Sequence, residues 1–327
     1  MSHTEPSGIF SSTTPAAGTG PVTDPLGREV PVTGALGGEM PMTDPAAGEV
    51  PVTGEPLVAE SSTTLVASDL DRTLIYSPAA LLLGMPDARA PRLMCVEVND
   101  GRPLSFMTEA AAAVLPDLMA RTVFVPTTTR TRKQYRRIRL PGPPPPYAIC
   151  ANGGHLLVDG DTDHDWNAAV RERLAADCAP LAEVSEQLQR TADPAWTRKI
   201  RIAEDLFTYL VVHRDLVPEL WVKELAGWAD ARGWSVSAQG SKIYLVPRPL
   251  TKSAAVAEVA RRAGTTLTLT AGDSLLDTDL LLAGDHGWRP GHGELADQGW
   301  TAPHVVALRE RGVTAGERIL REMRLKV

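Results

Sequence analysis

From about Ser61 onward, apolar and polar positions alternate in a way that separates short strand-like runs from longer helix-like stretches. Residues 64–67, 122–126, 147–150, 266–270 and 304–308 are brief apolar runs of the kind that become buried strands. Residues 109–120 and 252–263 carry helical spacing between them. Strand and helix in alternation predict an α/β fold, a Rossmann-like doubly wound parallel sheet. The pattern changes between Gly154 and Gly240. A helical stretch over 167–176, a strand over 208–212, a helix bearing Leu216, Leu220, Trp221, Leu225 and Trp228, and two strands around Val236 and Ile243 predict a smaller inserted α+β domain. Its bounds are set at 156–240, which divides the core into 61–155 and 241–327. Trp166, Trp196, Trp221, Trp228 and Trp234 all fall in or beside this insert, and their spacing predicts that they form its own core.

The first sixty residues follow neither pattern. From Pro21 they read PVTDPLGREV, PVTGALGGEM, PMTDPAAGEV and PVTGEP, a ten-residue repeat with few large apolar side chains. Such a segment buries too little surface to offset the entropy of ordering it, so residues 1–60 are expected to form a disordered tail. The whole chain of 327 residues, 43% hydrophobic, is long enough for one large domain or two modest ones. No run approaches the roughly 18 uncharged residues of a membrane span, and the N-terminus lacks the order of a secretory signal. A cytoplasmic protein that binds no membrane is therefore expected. Cys95, Cys150 and Cys178 have no paired spacing, which fits a reducing compartment.

A formal charge of -7 argues against nucleic acid as a partner and favours small molecules. The basic stretch RTRKQYRRIRL at 130–140 is expected to be a solvated helix face, with an arginine at its start available to a phosphate. His286 and His292 are expected in a loop near the sheet edge, since no third ligand is spaced to complete a metal site with them.

The chemistry gathers where strands end. LVASDLDRT places Asp69, Asp71 and Thr73 just beyond residues 64–67, and LTLTAGDSLLDTDLL places Asp273 and Asp277 beyond 266–270. In an open parallel sheet, ligands bind beyond the carboxyl ends of the strands. Acids crowded there repel one another and raise one another's pKa, so a hard divalent cation with oxygen ligands, magnesium, is the natural partner. FVPTTTRT adds Thr127, Thr128 and Thr129, and PLTKSAAV adds Lys252 at a helix start. Each alone is ordinary capping or solvation chemistry. The order DxDxT, strand-Thr, Lys, strand-GDxxxD is not.

In that order the chain resembles the haloacid dehalogenase-like phosphohydrolase superfamily from about residue 62 to its end. The insert between the second and third motifs, and ICANGGHLLVDG at 149–160, are similar to the cap and cap entrance of the subgroup containing Cof-type, sucrose-phosphate and mannosyl-phosphoglycerate phosphatases. The resemblance implies a magnesium-dependent phosphatase acting on a small phosphorylated metabolite such as a sugar phosphate. It makes Asp69 the nucleophile and Asp71 the general acid and base, with Thr128 as the hydroxyl residue, Thr127 its fallback, and Lys252 the charge-neutralising cation. It makes Asp69, Asp273 and the Asp71 carbonyl metal ligands, with Asp277 either binding the metal or holding its waters. Thr73, Thr129, Arg130 and Asn152 become substrate-contact candidates. Arg72 stands where the family usually has a small residue, Thr129 where it has Gly, and Leu276 where it often has Asn. The same motifs would serve a phosphomutase, and a non-catalytic ligand sensor is the alternative from outside enzymes.

Overall fold

The computed structural model describes residues 64–327; the tail expected over 1–60 lies outside the described residues. Strand β1 (Thr64–Ser68) is buried along its whole length, as a strand covered by helices on both faces must be. A hairpin of β2 (Leu93–Asn99) and β3 (Arg102–Thr108) follows, absent from the sequence expectation. Its turn uses Asp100 and Gly101, both at positive φ. Thr108 then caps α1 (Glu109–Arg121) by accepting the Ala111 amide at 2.9 Å. The chain returns through β4 (Val123–Pro126) to pair parallel with β1.

After the short α2 (Arg132–Tyr135), β5 (Tyr147–Cys150), β6 (His155–Val158) and β7 (Asp161–Thr162) make a small antiparallel sheet. The insert comprises α3 (His164–Asp177), α4 (Leu181–Thr191), β8 (Thr197–Ala203), β9 (Phe207–Val212), α5 (Glu219–Asp230), β10 (Trp234–Gln239) and β11 (Lys242–Pro247). The rest of the core is α6 (Lys252–Ala263), β12 (Leu267–Ala271), α7 (Thr278–Ala283), β13 (His286–Arg289), α8 (Glu294–Asp297), β14 (Val305–Ala307) and α9 (Val313–Arg324).

The central sheet has the order β14-β13-β12-β1-β4, with every pair parallel. Period-two alternation along β1 sorts its side chains between two cores. Val66 packs in a cluster with Leu115 of α1 and Ile319 of α9, while Leu65 and Ala67 pack with Val256 and Val259 of α6 and Leu280 of α7. The chain leaves β1 toward β4 on one side and comes back to β12 on the other. The carboxyl ends of β1 and β12 therefore form the crevice at which such sheets bind ligands.

The insert is a four-stranded antiparallel sheet, β10-β11-β9-β8, built with α3, α4 and α5 around Trp196, Leu188, Phe207 and Trp234. Trp166, Trp221 and Trp228 pack against the same cluster. The sheet's strand β11 runs to Pro247, past the bound of 240 set from composition. Leu216 lies before α5 in a 3-10 turn, and both it and Leu220 are exposed, so the inner face of α5 is carried by Leu225 and Ala229. Glu294 ties this cap to the core, since its carboxylate accepts Ser237 Oγ at 2.6 Å, the Ala238 amide at 2.9 Å and the Leu275 amide at 3.1 Å.

Two expectations need correction. The basic stretch at 130–140 is not a solvated helix face. Its helix is four residues long, and Arg130, Arg132 and Arg137 turn inward to Asp71 and Glu97, Glu204, and Glu97, because buried carboxylates there supply partners that water would otherwise replace. His286 opens β13 instead of lying in a loop, whereas His292 lies in the loop at 290–293 as expected and is buried there. Among the described residues no helix is long and apolar enough to cross a membrane.

Candidate active site

Asp69 follows β1 directly, and its amide donates to Ala271 O at 2.9 Å, which locks the start of the DLDRT loop onto the end of β12. That register brings Asp69 and Asp273 to one rim. Lys252, the first residue of α6, is 1% exposed and donates its Nζ to Asp69 Oδ1 at 2.7 Å and to Asp277 Oδ1. Thr73 Oγ1 donates to the other Asp69 oxygen at 3.2 Å. Asp277 Oδ2 accepts the amides of Asp273 at 3.1 Å and Ser274 at 2.9 Å, and Ser274 Oγ at 2.7 Å. The second acid of the motif thus shapes the loop that presents the first. Leu276, one residue before Asp277, packs with the cap's apolar cluster.

Lys252 is placed by an unusual backbone. Asn152 stands at φ 57 and donates Nδ2 to Leu250 O at 2.8 Å, so it fixes the approach to α6. Gly153, at φ 98, lies so close to that approach that a Cβ on it would meet Thr251 O at 2.1 Å; only glycine fits. Asn152 does not line the cleft above Asp71; it borders a different cavity of about 610 Å³.

Burial pushes the Asp69 carboxyl up to about 7, with Lys252 opposing and Asp277 and Asp71 adding to the rise. Asp273 is raised well above the ordinary range by burial, then by Asp69 and Asp277, with Arg72 opposing. Burial alone would lower Lys252, but Asp277 and Asp69 outweigh it and hold the ammonium charged. Oxygens of Asp69, Asp273 and Asp277 all lie within 4.8 Å of one another. An all-carboxylate set this tight and this buried fits a hard divalent cation.

Asp71 faces a second cluster. Arg130 grips it bidentately, Nε to Oδ2 at 2.6 Å and Nη2 to Oδ1 at 2.7 Å, and spends Nη1 on Glu97 Oε2 at 2.7 Å. Ser105 Oγ and Arg137 Nε complete Glu97 at 2.6 and 3.0 Å. Burial raises Asp71, but Arg130 outweighs it and leaves the carboxyl below its usual value.

Thr127, Thr128 and Thr129 are all buried at the end of β4. Thr127 donates its hydroxyl to Val125 O at 3.0 Å within its own strand, whereas Thr128 Oγ1 accepts the Arg130 amide at 3.1 Å. Thr129, Arg130, Asp71 and Arg72 border a cleft of about 570 Å³, closed from the cap by Lys242 and Tyr244. Lys242 Nζ stands 5.8 Å from the ring centres of both Tyr209 and Tyr244. His292 braces the floor: Nε2 contacts Arg72 O at 2.8 Å and Nδ1 accepts the Gly312 amide at 3.0 Å, which fixes the proton on Nε2.

Glu97, Ser105, Arg137 and Lys242 had no sequence signal as site residues. Glu97 is the instructive case. Val96 and Glu97 are consecutive yet both buried, because a bulge between Cys95 and Glu97 turns the acid inward and breaks the period of two.

No protein-family model matches the chain, and no curated protein does. Solved structures do. The sucrose-phosphatase of Synechocystis sp. PCC6803, in complex with sucrose and phosphate, is similar at 13% identity and TM-score 0.54 over 80% of this chain and 98% of that one. A Thermoplasma acidophilum protein is similar at 13% identity and TM-score 0.52, over 80% and 98% of the two chains. A sugar phosphatase of haloacid dehalogenase subclass IIB is similar at 13% identity and TM-score 0.50, over 81% and 99%. The fold is therefore the haloacid dehalogenase-like α/β fold.

Proposed function

We propose that the chain is a magnesium-dependent phosphatase of small phosphorylated metabolites, with a sugar phosphate as substrate and the cytoplasm as its setting. The observation that carries this reading is the meeting of Asp69 and Asp273 at adjacent parallel strand ends, with Lys252 between Asp69 and Asp277. The fold shared with a sucrose-phosphatase supports the sugar.

Asp69, Asp273 and the Asp71 carbonyl would hold the magnesium, with Asp277 setting the loop beneath it. When bound, the ion supplies positive charge against the phosphate oxygens. Asp69 attacks phosphorus, and the bond to the ester oxygen breaks as an aspartyl-phosphate forms. Asp71 gives its proton to the departing alkoxide and later takes one from the water that releases inorganic phosphate and restores Asp69. This acid role needs a higher pKa than Arg130 allows. An incoming phosphate acts on both partners, because its charge raises Asp71 and its oxygens compete for the Arg130 guanidinium. Lys252 holds the nucleophile in place, and Thr128 is the hydroxyl offered to the transferring group. Lys242 is the cap's cation over the leaving group.

The test is a screen of sugar phosphates for inorganic phosphate release, first with magnesium and then with the ion chelated. Release that stops on chelation is expected. Isomerised sugar phosphate without release would make the protein a mutase, and inertness toward every phosphate ester would overturn the reading.

A further inference from the structure

Arg72 occupies an uncommon position. Its φ is 64, a region that favours glycine, and its peptide is fixed on both sides: the amide donates to Ile75 O at 2.8 Å and the carbonyl accepts His292 Nε2 at 2.8 Å. Only the side chain can move. It runs to Asp273, with Nε 3.1 Å from Oδ2, and the Asp273 side chain is 3% exposed while the Arg72 side chain is 31% exposed. The outer end of the guanidinium lies against the β10–β11 turn of the cap, where a Cβ on Gly240 would stand 3.9 Å from Nη1. One side chain therefore touches a candidate metal ligand, the cleft and the cap hairpin.

We propose that Arg72 is a cation-responsive latch: a divalent cation competes with its guanidinium for the Asp273 carboxylate, and the displaced guanidinium takes an oxygen of the phosphate in the cleft. The proposal rests on the cation reading of the Asp69, Asp273 and Asp277 cluster. A cation among those oxygens meets Lys252 on Asp69 and Asp277 and the Arg72 guanidinium on Asp273; Lys252 is fully buried, so Arg72 is the one with room to leave. Arg keeps its proton, so repulsion is relieved only by movement, and a side chain one-third exposed beside a cleft has somewhere to go. An anion there is its nearest replacement partner. Two consequences follow by linkage. Arg72 weakens cation binding when phosphate is absent, and cation and phosphate tighten one another through it.

Isothermal titration of magnesium, with and without inorganic phosphate, reads both. Arg72→Gln keeps most of the length and removes the charge; it is expected to bind magnesium at least about fivefold more tightly than the natural chain and to lose much of the tightening that phosphate confers. Arg72→Lys keeps the charge and is expected to stay near the natural values. Unchanged or weaker magnesium binding by a folded Arg72→Gln protein would overturn the latch. Should that variant not fold, the natural chain decides alone: phosphate affinity that is the same with and without magnesium contradicts the proposal. Asp273→Asn separates the two levels. If it binds magnesium like the natural chain, the cation reading itself fails; if it loses magnesium while Arg72→Gln gains nothing, only the latch fails.

Discussion

Two acid clusters share the rim above β1, and they settle their charge in opposite ways. Around Asp71 and Glu97, two carboxylates meet two guanidiniums, Arg130 and Arg137. Burial pushes both acids up, but hydrogen bonds and positive partners win, and both stand below their usual values. Around Asp69, Asp273 and Asp277, three carboxylates meet one ammonium and one partly exposed guanidinium. There Asp69 rises to about 7 and Asp273 well above its ordinary value. The first cluster is complete in itself, and in the proposed reaction Asp71 is freed from it as an incoming phosphate draws on Arg130. The second carries more negative charge than its partners neutralise, an imbalance that the proposed divalent cation would correct.

The largest expected effect follows from removing the proposed nucleophile. Asp69→Asn should lower p-nitrophenyl phosphate turnover by at least roughly a thousandfold while circular dichroism stays unchanged. Next comes Lys252→Met, which strands Asp69 and Asp277 without their shared cation. Urea unfolding at pH 8 should show a loss of about 3–5 kcal/mol, and the loss should shrink toward pH 5 as Asp69 takes up a proton. In the balanced cluster, Glu97→Gln removes a buried acceptor from Arg130 and Arg137, and about 2 kcal/mol of stability should go with it.

The pH dependence is smaller and differs in sign between the clusters. Glu97 is depressed in the folded chain, so its contribution is present above its unfolded value and lost as pH falls. Asp69 is raised, so the unfolded chain gives up its proton first. Its contribution is present at low pH and lost as pH rises from about 4 toward about 7. Melting temperature followed from pH 2 to pH 8 with a chelator present should fall as pH rises from about 4 to about 7, and Glu97→Gln should flatten only the decline below about pH 4. Ser274→Ala, which takes one donor from Asp277, should cost about 1 kcal/mol.

Much of this was legible because β1 and β12 announce themselves twice, as apolar runs and as the strands that end in acids. Local order along the chain places Asp69, Asp71, Lys252, Asp273 and Asp277, since a parallel sheet carries every strand end to one rim. The β2–β3 hairpin carried a signal in Asp100-Gly101, but the acid it contributes is aimed by a bulge, which leaves no trace in periodicity. Arg137 looked like solvated charge, and Arg130 like a phosphate contact alone, because their partners, Glu97 and Asp71, lie 40 and 59 positions away. Asn152, expected at the substrate, spends its amide on Leu250 O, a contact between residues 98 apart. Such pairings are fixed by tertiary packing alone.

The charge imbalance at Asp69, Asp273 and Asp277 is tested most directly by thermal unfolding at pH 8 under increasing magnesium, for the natural chain and for Asp273→Asn. The natural chain should gain stability with concentration, by about 2.7 kcal/mol once magnesium reaches a hundred times its dissociation constant, and Asp273→Asn should stay flat. No gain in the natural chain, or the same gain in both, would contradict the account.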